Sequence, residues 1–127
     1  MRLVALQNRR SLARLALFLA LAFFALVRQS EAAGFIAGIE DLPLMDGLLE
    51  DRGAGLIFDK PDGRLVEAYA FGHSSEAEIA RFYQSTLPEL GWHSAAPLIF
   101  EREGERLKIM LEPESEGISV HFLLTPQ

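Results

Sequence analysis

The stretch that decides the fold is a helix signature at residues 75–92, which read SEAEIARFYQSTLPELGW. Ser75 and Glu78 have the spacing of a capping box, in which each side chain binds the other residue's backbone N–H where a helix begins. Apolar residues then follow at helical spacing. Because proline removes a hydrogen bond from a helix interior, we expect the helix either to kink at Pro88 or to end near Thr86.

Five strands are predicted around this helix from alternating apolar residues and turn signals. Two precede the helix and three follow it, at residues 56–58, 64–71, 98–102, 106–112 and 118–126. Short connections favour antiparallel neighbours. The sequence therefore predicts an α+β fold, in which an antiparallel sheet of about five strands has one helix packed on a face, in the order ββαβββ.

The predicted core lies between the helix and one face of this sheet. The helix contributes Ile79, Tyr83 and Leu87. The inward row of the strands consists of Leu107, Ile109, Leu111, Val120 and Phe122. The strand at 118–124 is expected at an edge of the sheet, where a partner strand can pair with it.

Residues 33–54 are predicted to form an extended arm ahead of the domain at 55–127, because glycines and Pro43 interrupt any regular periodicity. Its apolar side chains, Leu42 and Leu44 among them, pack either on the chain's own domain or on a partner. On its own domain, the arm is expected to cover the sheet face opposite the helix.

Residues 1–32 have the order of a secretory signal peptide, with arginines first, then an apolar run from Leu15 to Val27, then small residues. The run is shorter than the roughly 20 residues that span a bilayer as a helix. Ser30 and Ala32 satisfy the peptidase's need for small side chains. We therefore expect cleavage after Ala32, which leaves no stable membrane anchor; an uncleaved anchor is the alternative.

Composition excludes several classes of function. From residue 33 onward the chain has seven basic and seventeen acidic residues, a net charge of −10. Nucleic acids and anionic membranes attract basic surfaces, so nucleic-acid binding is not expected. The absence of cysteine rules out disulfides, thiolate ligands and a thiol nucleophile. The remaining length, about 95 residues, suits one domain.

Catalytic and metal-binding patterns are missing from the sequence. The chain has no nucleophile elbow, P-loop, dinucleotide-binding glycine motif or zinc-protease motif. Of its three histidines, His73 and His93 lie at opposite ends of the predicted helix, and nothing fixes the register between His93 and His121. We predict no enzyme activity, no metal and no cofactor.

The pattern F-Y-x-x-x-L-P-x-x-G-W, from Phe82 to Trp92, resembles one found in small, uncharacterised exported proteins of proteobacteria. The segment Ile39–Met45 also looks like the start of such a family. The resemblance implies a periplasmic location and transfers no catalytic residue. Lipoprotein members carry a cysteine that this chain lacks, so it implies a soluble form.

Two functions are compatible with these observations. The first is a soluble periplasmic accessory domain without catalysis, which binds an unknown envelope protein through the arm or a sheet edge. The alternative is a domain that binds a small apolar or cationic molecule in an aromatic pocket. The binding residues predicted for the two functions are Trp92, Tyr69, Tyr83, Met110, Leu42 and Leu44. The sequence leaves the oligomeric state open.

Overall fold

The computed structural model describes residues 34–127, so the predicted signal peptide and its cleavage site lie outside the described residues. Within this range the chain is mostly sheet, with seven strands and one helix. The strands are β1 (Leu48–Glu50), β2 (Leu56–Lys60), β3 (Gly63–Gly72), β4 (His93–Ala96), β5 (Ile99–Arg102), β6 (Glu105–Glu114) and β7 (Gly117–Pro126), and the helix is α1 (Glu76–Glu89).

All seven strands belong to one antiparallel sheet, in the order β1-β3-β7-β6-β5-β4, with β2 beside β1 along the same side of β3. The prediction of about five strands in the order ββαβββ is therefore wrong. The missed strands, β1 and β4, have three and four residues. Three or four residues do not show a reliable alternation of apolar and polar side chains. These segments are strands because they pair with longer neighbouring strands.

The helix begins as the capping box predicts. Ser75 Oγ accepts a hydrogen bond from the Glu78 backbone N–H at 3.2 Å, and the Glu78 carboxylate accepts one from the Ser75 N–H at 2.8 Å. The helix does not end near Thr86. It continues through Pro88 to Glu89.

Removing the cap should weaken the fold measurably. We expect Ser75→Ala to lower the free energy of unfolding by about 1 kcal/mol, because the N–H of Glu78 loses its acceptor. Ser85→Ala, at an exposed position of the same helix, is the control and should change it by less than about 0.5 kcal/mol. Chemical denaturation of both variants measures the difference, and equal stability would contradict the role of the cap.

The same cap makes the stability depend on pH. Hydrogen bonds from the Ser75 backbone and hydroxyl hold the pKa of Glu78 below its usual value. A carboxylate with a lowered folded-state pKa contributes stability above its unfolded pKa, and this contribution disappears as the pH falls through the folded value. Ser75→Ala removes the hydroxyl that lowers the pKa of Glu78. Over the pH range in which Glu78 becomes protonated, the free energy of unfolding of Ser75→Ala should therefore fall less than that of the wild type.

The core lies between α1 and one face of the sheet. Ile79, Tyr83 and Leu87 are the buried residues of the helix, and the Tyr83 ring meets Phe122 of β7 edge to face, with 5.5 Å between ring centres. Of the predicted inward row, four residues are buried and Leu111 is partly buried. Opposite Phe122, β3 presents the small side chain of Ala68.

The arm packs on the same side of the sheet as the helix and not on the opposite face. Its Ile36, Ile39 and Leu42 are buried in the core. The Tyr83 hydroxyl donates to the Pro43 carbonyl at 3.0 Å, which fixes the arm to the helix. The expectation that the arm covers the other face of the sheet is therefore wrong.

Close contact explains one glycine of the arm. Gly38 has a φ of 80°, and a Cβ placed there would lie 2.7 Å from Ile57 Cδ1. Only glycine combines this backbone conformation with such an approach to β2. The arm therefore packs against the inner side of the β2–β3 hairpin, and its residues Leu48–Glu50 form β1.

Candidate protein-interaction surface

No described residue covers the sheet face opposite the helix, which we call the open face. The strand register places Tyr69, His121 and Met110 side by side across β3, β7 and β6 on this face. All three side chains are only half-buried. Phe71 and Leu123 extend the same face with further apolar surface. Lys108 and Glu112 of β6 lie on the same face, opposite Leu123 and Ser119, so the open face is mixed, with apolar and charged side chains side by side.

The polar centre of the open face consists of Glu67, Tyr69 and His121. The rings of Tyr69 and His121 stack, with 4.3 Å between their centres and an angle of 11°. The Tyr69 hydroxyl donates to the Glu67 carboxylate at 3.1 Å, and His121 Nε2 lies 3.8 Å from the same carboxylate oxygen. Partial burial and the bond to Glu67 raise the pKa of Tyr69, so its hydroxyl stays protonated and serves as a donor.

Strand β2 forms the apolar edge of the sheet. All five of its residues are exposed, and the exposed fractions of Leu56, Ile57 and Phe58 are 52%, 59% and 57%. Their register on β3 places Leu56 and Phe58 beside Glu67 and Leu65, on the open face, and Ile57 beside Val66, on the helix side. Three large apolar side chains in a row therefore point alternately to both faces of an exposed strand.

The outer backbone of β2 also faces away from the sheet. Lys60 and Gly63 close a two-residue turn as a pair of opposed residues. In two-residue hairpins the closing pair is hydrogen-bonded, and hydrogen-bonded pairs alternate along an antiparallel ladder. Leu56 and Phe58 therefore direct their N–H and C=O groups to β3, whereas Ile57 and Asp59 direct theirs outward. These outward groups can accept another strand.

The opposite edge, β4, differs in chemistry and shape. Its sequence is His-Ser-Ala-Ala, and its pairing with β5 shifts register between Ser94 and Ala96. Bulges and short polar strands are the usual protection of an edge against pairing with other chains. Strand β2 has no register shift and no charged residue among its first three positions. Of the two edges, β2 is the one suited to accept a strand.

A second concave region lies beside the end of α1. Glu40, Asp41, His93, Arg102 and Glu103 line an open cleft of about 420 Å³. Arg102 donates to the carbonyls of Leu90 and Glu40 at 3.0 and 3.2 Å, so it ties the arm to the helix. Across residues 34–127, no three histidine or acidic side chains are grouped closely enough to hold a metal ion.

The residues predicted to bind a partner or a small molecule lie in two different places, the core and the open face. Trp92, Tyr83 and Leu42 are buried in the core, and Leu44 packs partly against it. The predicted aromatic pocket consists of Tyr69, Tyr83, Trp92 and Met110. Only Tyr69 and Met110 lie on the open face, so these four residues do not come together. Strand β7, predicted to be an edge, lies between β3 and β6.

Sequence reasoning missed the apolar edge. Its signal is the continuous run Leu56-Ile57-Phe58, which shows no alternation and predicts only a short apolar strand. Successive residues of such a run point to opposite faces of the sheet, so both faces of the strand are apolar. This pattern alone does not distinguish a central strand from an edge strand.

Comparison of the chain with protein-family models, curated proteins and solved structures finds no match to any of them. Within the described residues, no helix has the length and apolar character needed to cross a membrane. The resemblance to exported proteobacterial proteins therefore stays a prediction.

Proposed function

We propose that this chain is a non-catalytic interaction domain of the periplasm, which binds an extended segment of another polypeptide along β2. The observation that carries the proposal is the exposed apolar edge, where Leu56, Ile57 and Phe58 are each more than half exposed. Strand addition uses the free backbone groups of an edge for affinity and alternate side chains for specificity.

The surroundings of β2 support this mode of binding. Leu49 of β1 is 77% exposed and lies beside Phe71 on the open face. Together with Leu56 and Phe58 it extends the apolar surface along both short strands that pair with β3. Exposed apolar areas of this kind mark interaction sites in folded proteins. A strand added at β2 therefore also finds apolar neighbours on the open face.

Site-specific photo-crosslinking tests the proposal in living cells. A benzophenone amino acid replaces Phe58 on β2 or, as the control, Ser94 on β4, in the full-length chain. We expect a discrete crosslinked product from position 58, about tenfold more abundant than from position 94, because tight contacts concentrate at apolar anchors. Equal or absent crosslinking at the two positions would overturn the proposal.

The same sample tests export. An intact mass that begins at Ala33, measured on the protein from the envelope fraction, supports the periplasmic location. A retained Met1 contradicts cleavage after Ala32.

A further inference from the structure

We infer that the strand that β2 accepts is β2 of a second copy of this chain, so that the two sheets join into one across a two-fold axis. This inference rests on the proposed function, because it names the partner of the same edge. It follows from the self-complementary sequence of the edge and from the charges around it.

An antiparallel pair of β2 strands has one register that matches all of its side chains. With Ile57 opposite Ile57 of the second copy, Leu56 lies opposite the second copy's Phe58, and Asp59 lies opposite its Gly55. Apolar residues then face apolar residues on both sides of the joined sheet, and no like charges oppose each other. Centring the pair on Phe58 instead places Leu56 opposite Lys60 and Ile57 opposite Asp59.

The backbone is compatible with this register, and the side chains decide against the register centred on Phe58. Ile57 and Asp59 direct their N–H and C=O groups away from β3, as the closing pair of the hairpin requires. In the register centred on Ile57, these outward residues form the hydrogen-bonded pairs, while Leu56 and Phe58 form the pairs between them. Directly opposed residues in such non-hydrogen-bonded pairs have their Cα atoms about 4.5 Å apart. Their side chains therefore meet closely on the open face.

The charge around β2 permits contact between identical chains. Residues 33–127 carry a net charge of −10, so most faces of two copies repel each other. Within residues 52–62, however, the two basic residues, Arg52 and Lys60, equal the two acidic residues, Asp59 and Asp62, in number. Continued past the strand ends, the register brings Arg52 of one copy towards Asp62 of the other. Arg52 Nε donates to Glu50 of its own chain at 3.2 Å, and the terminal nitrogens of this 76% exposed side chain remain for contact with Asp62.

The chain has no cysteine, so single cysteines report the pairing without background. Full-length Leu56→Cys and Phe58→Cys chains, carrying different tags, are expressed, purified, mixed and mildly oxidised. We expect the mixed disulfide to exceed either homodimeric disulfide about tenfold, because only Leu56 and Phe58 are directly opposed, and diagonal neighbours about 7–8 Å apart exceed disulfide reach. Ser94→Cys on β4 is the control.

Sedimentation without crosslinking gives an independent measure. The unmodified protein should show a concentration-dependent dimer, and Phe58→Lys should raise its dissociation constant about tenfold or more by placing a charge at the apolar pair. A circular-dichroism melt that matches the wild type establishes that the variant is folded. A dimer that Phe58→Lys leaves intact would overturn the inference.

The remaining outcomes separate the inference from the proposed function. A dominant homodisulfide of Phe58→Cys, or mixed disulfides no more abundant than those of Ser94→Cys, would overturn the pairing centred on Ile57. If the photo-crosslinker at position 58 then captures a different protein, the proposed interaction domain stands and its partner is not a second copy. If it captures nothing, both proposals fail.

Discussion

Trp92→Ala is expected to lower the free energy of unfolding by about 3–5 kcal/mol, the usual cost of removing a large aromatic side chain from a core. The Trp92 side chain is 1% exposed. Its backbone N–H donates to the Leu87 carbonyl at 3.1 Å, and Gly91 turns the chain with a φ of 85°. The tryptophan therefore folds back under the end of α1, and it closes the core there.

Arg102 covers the outer side of this tryptophan. Its guanidinium carbon lies 4.4 Å from the centre of the ring while its nitrogens bind the carbonyls of Leu90 and Glu40. Cation–π contacts of this kind add to the stability of a packed ring. Losing Trp92 therefore also removes the support on which Arg102 connects helix and arm.

Circular-dichroism denaturation of Trp92→Ala measures the effect, with His93→Ala as the control at the exposed neighbouring position. The control should stay within about 0.5 kcal/mol of the wild type. Because Trp92 is the only tryptophan, its fluorescence in the unmodified protein should also resist aqueous quenchers. A stable Trp92→Ala variant, or a readily quenched tryptophan, would return this residue to the role of a surface binding residue.

Short-range sequence patterns predict the individual helix and long strands of this fold better than they predict which strands pair with each other. The capping box at Ser75 and Glu78 acts within four residues, and the alternation of β6 and β7 is visible along each strand. Strands β1 and β4 depend on pairing with distant residues, so short segments of weak β-propensity gave no signal. The arm likewise looked irregular, although its Ile36 and Leu42 are core residues.

The position of a strand within the sheet is also a non-local property. The segment 118–124 was predicted to be an edge, but it pairs with β3 and β6 along its length. A usable signal was present, because residues 118–125 contain no aspartate, glutamate, lysine or arginine. Edge strands commonly carry such charges as protection against pairing, and their absence from 118–125 is typical of an interior strand.

Two leucine-to-alanine variants of the arm test whether it belongs to the core. Leu42 is fully buried, and Leu49 is 77% exposed. We expect Leu42→Ala to lower the free energy of unfolding by about 2–5 kcal/mol through lost burial and the cavity that remains. Leu49→Ala removes the same atoms from an exposed position of the arm. It should change the free energy of unfolding by less than about 0.5 kcal/mol.

The pair of variants also decides between two roles of the arm. The Tyr83 hydroxyl donates to the Pro43 carbonyl and accepts a hydrogen bond from the Met45 N–H at 3.4 Å. Release of the arm therefore leaves this buried hydroxyl without partners. An arm held this firmly cannot serve as a detachable strand for a partner. If denaturation instead showed equal stability for Leu42→Ala and Leu49→Ala, the arm would be detachable, and partner binding through Leu42 and Leu44 would replace binding at β2 as the better hypothesis.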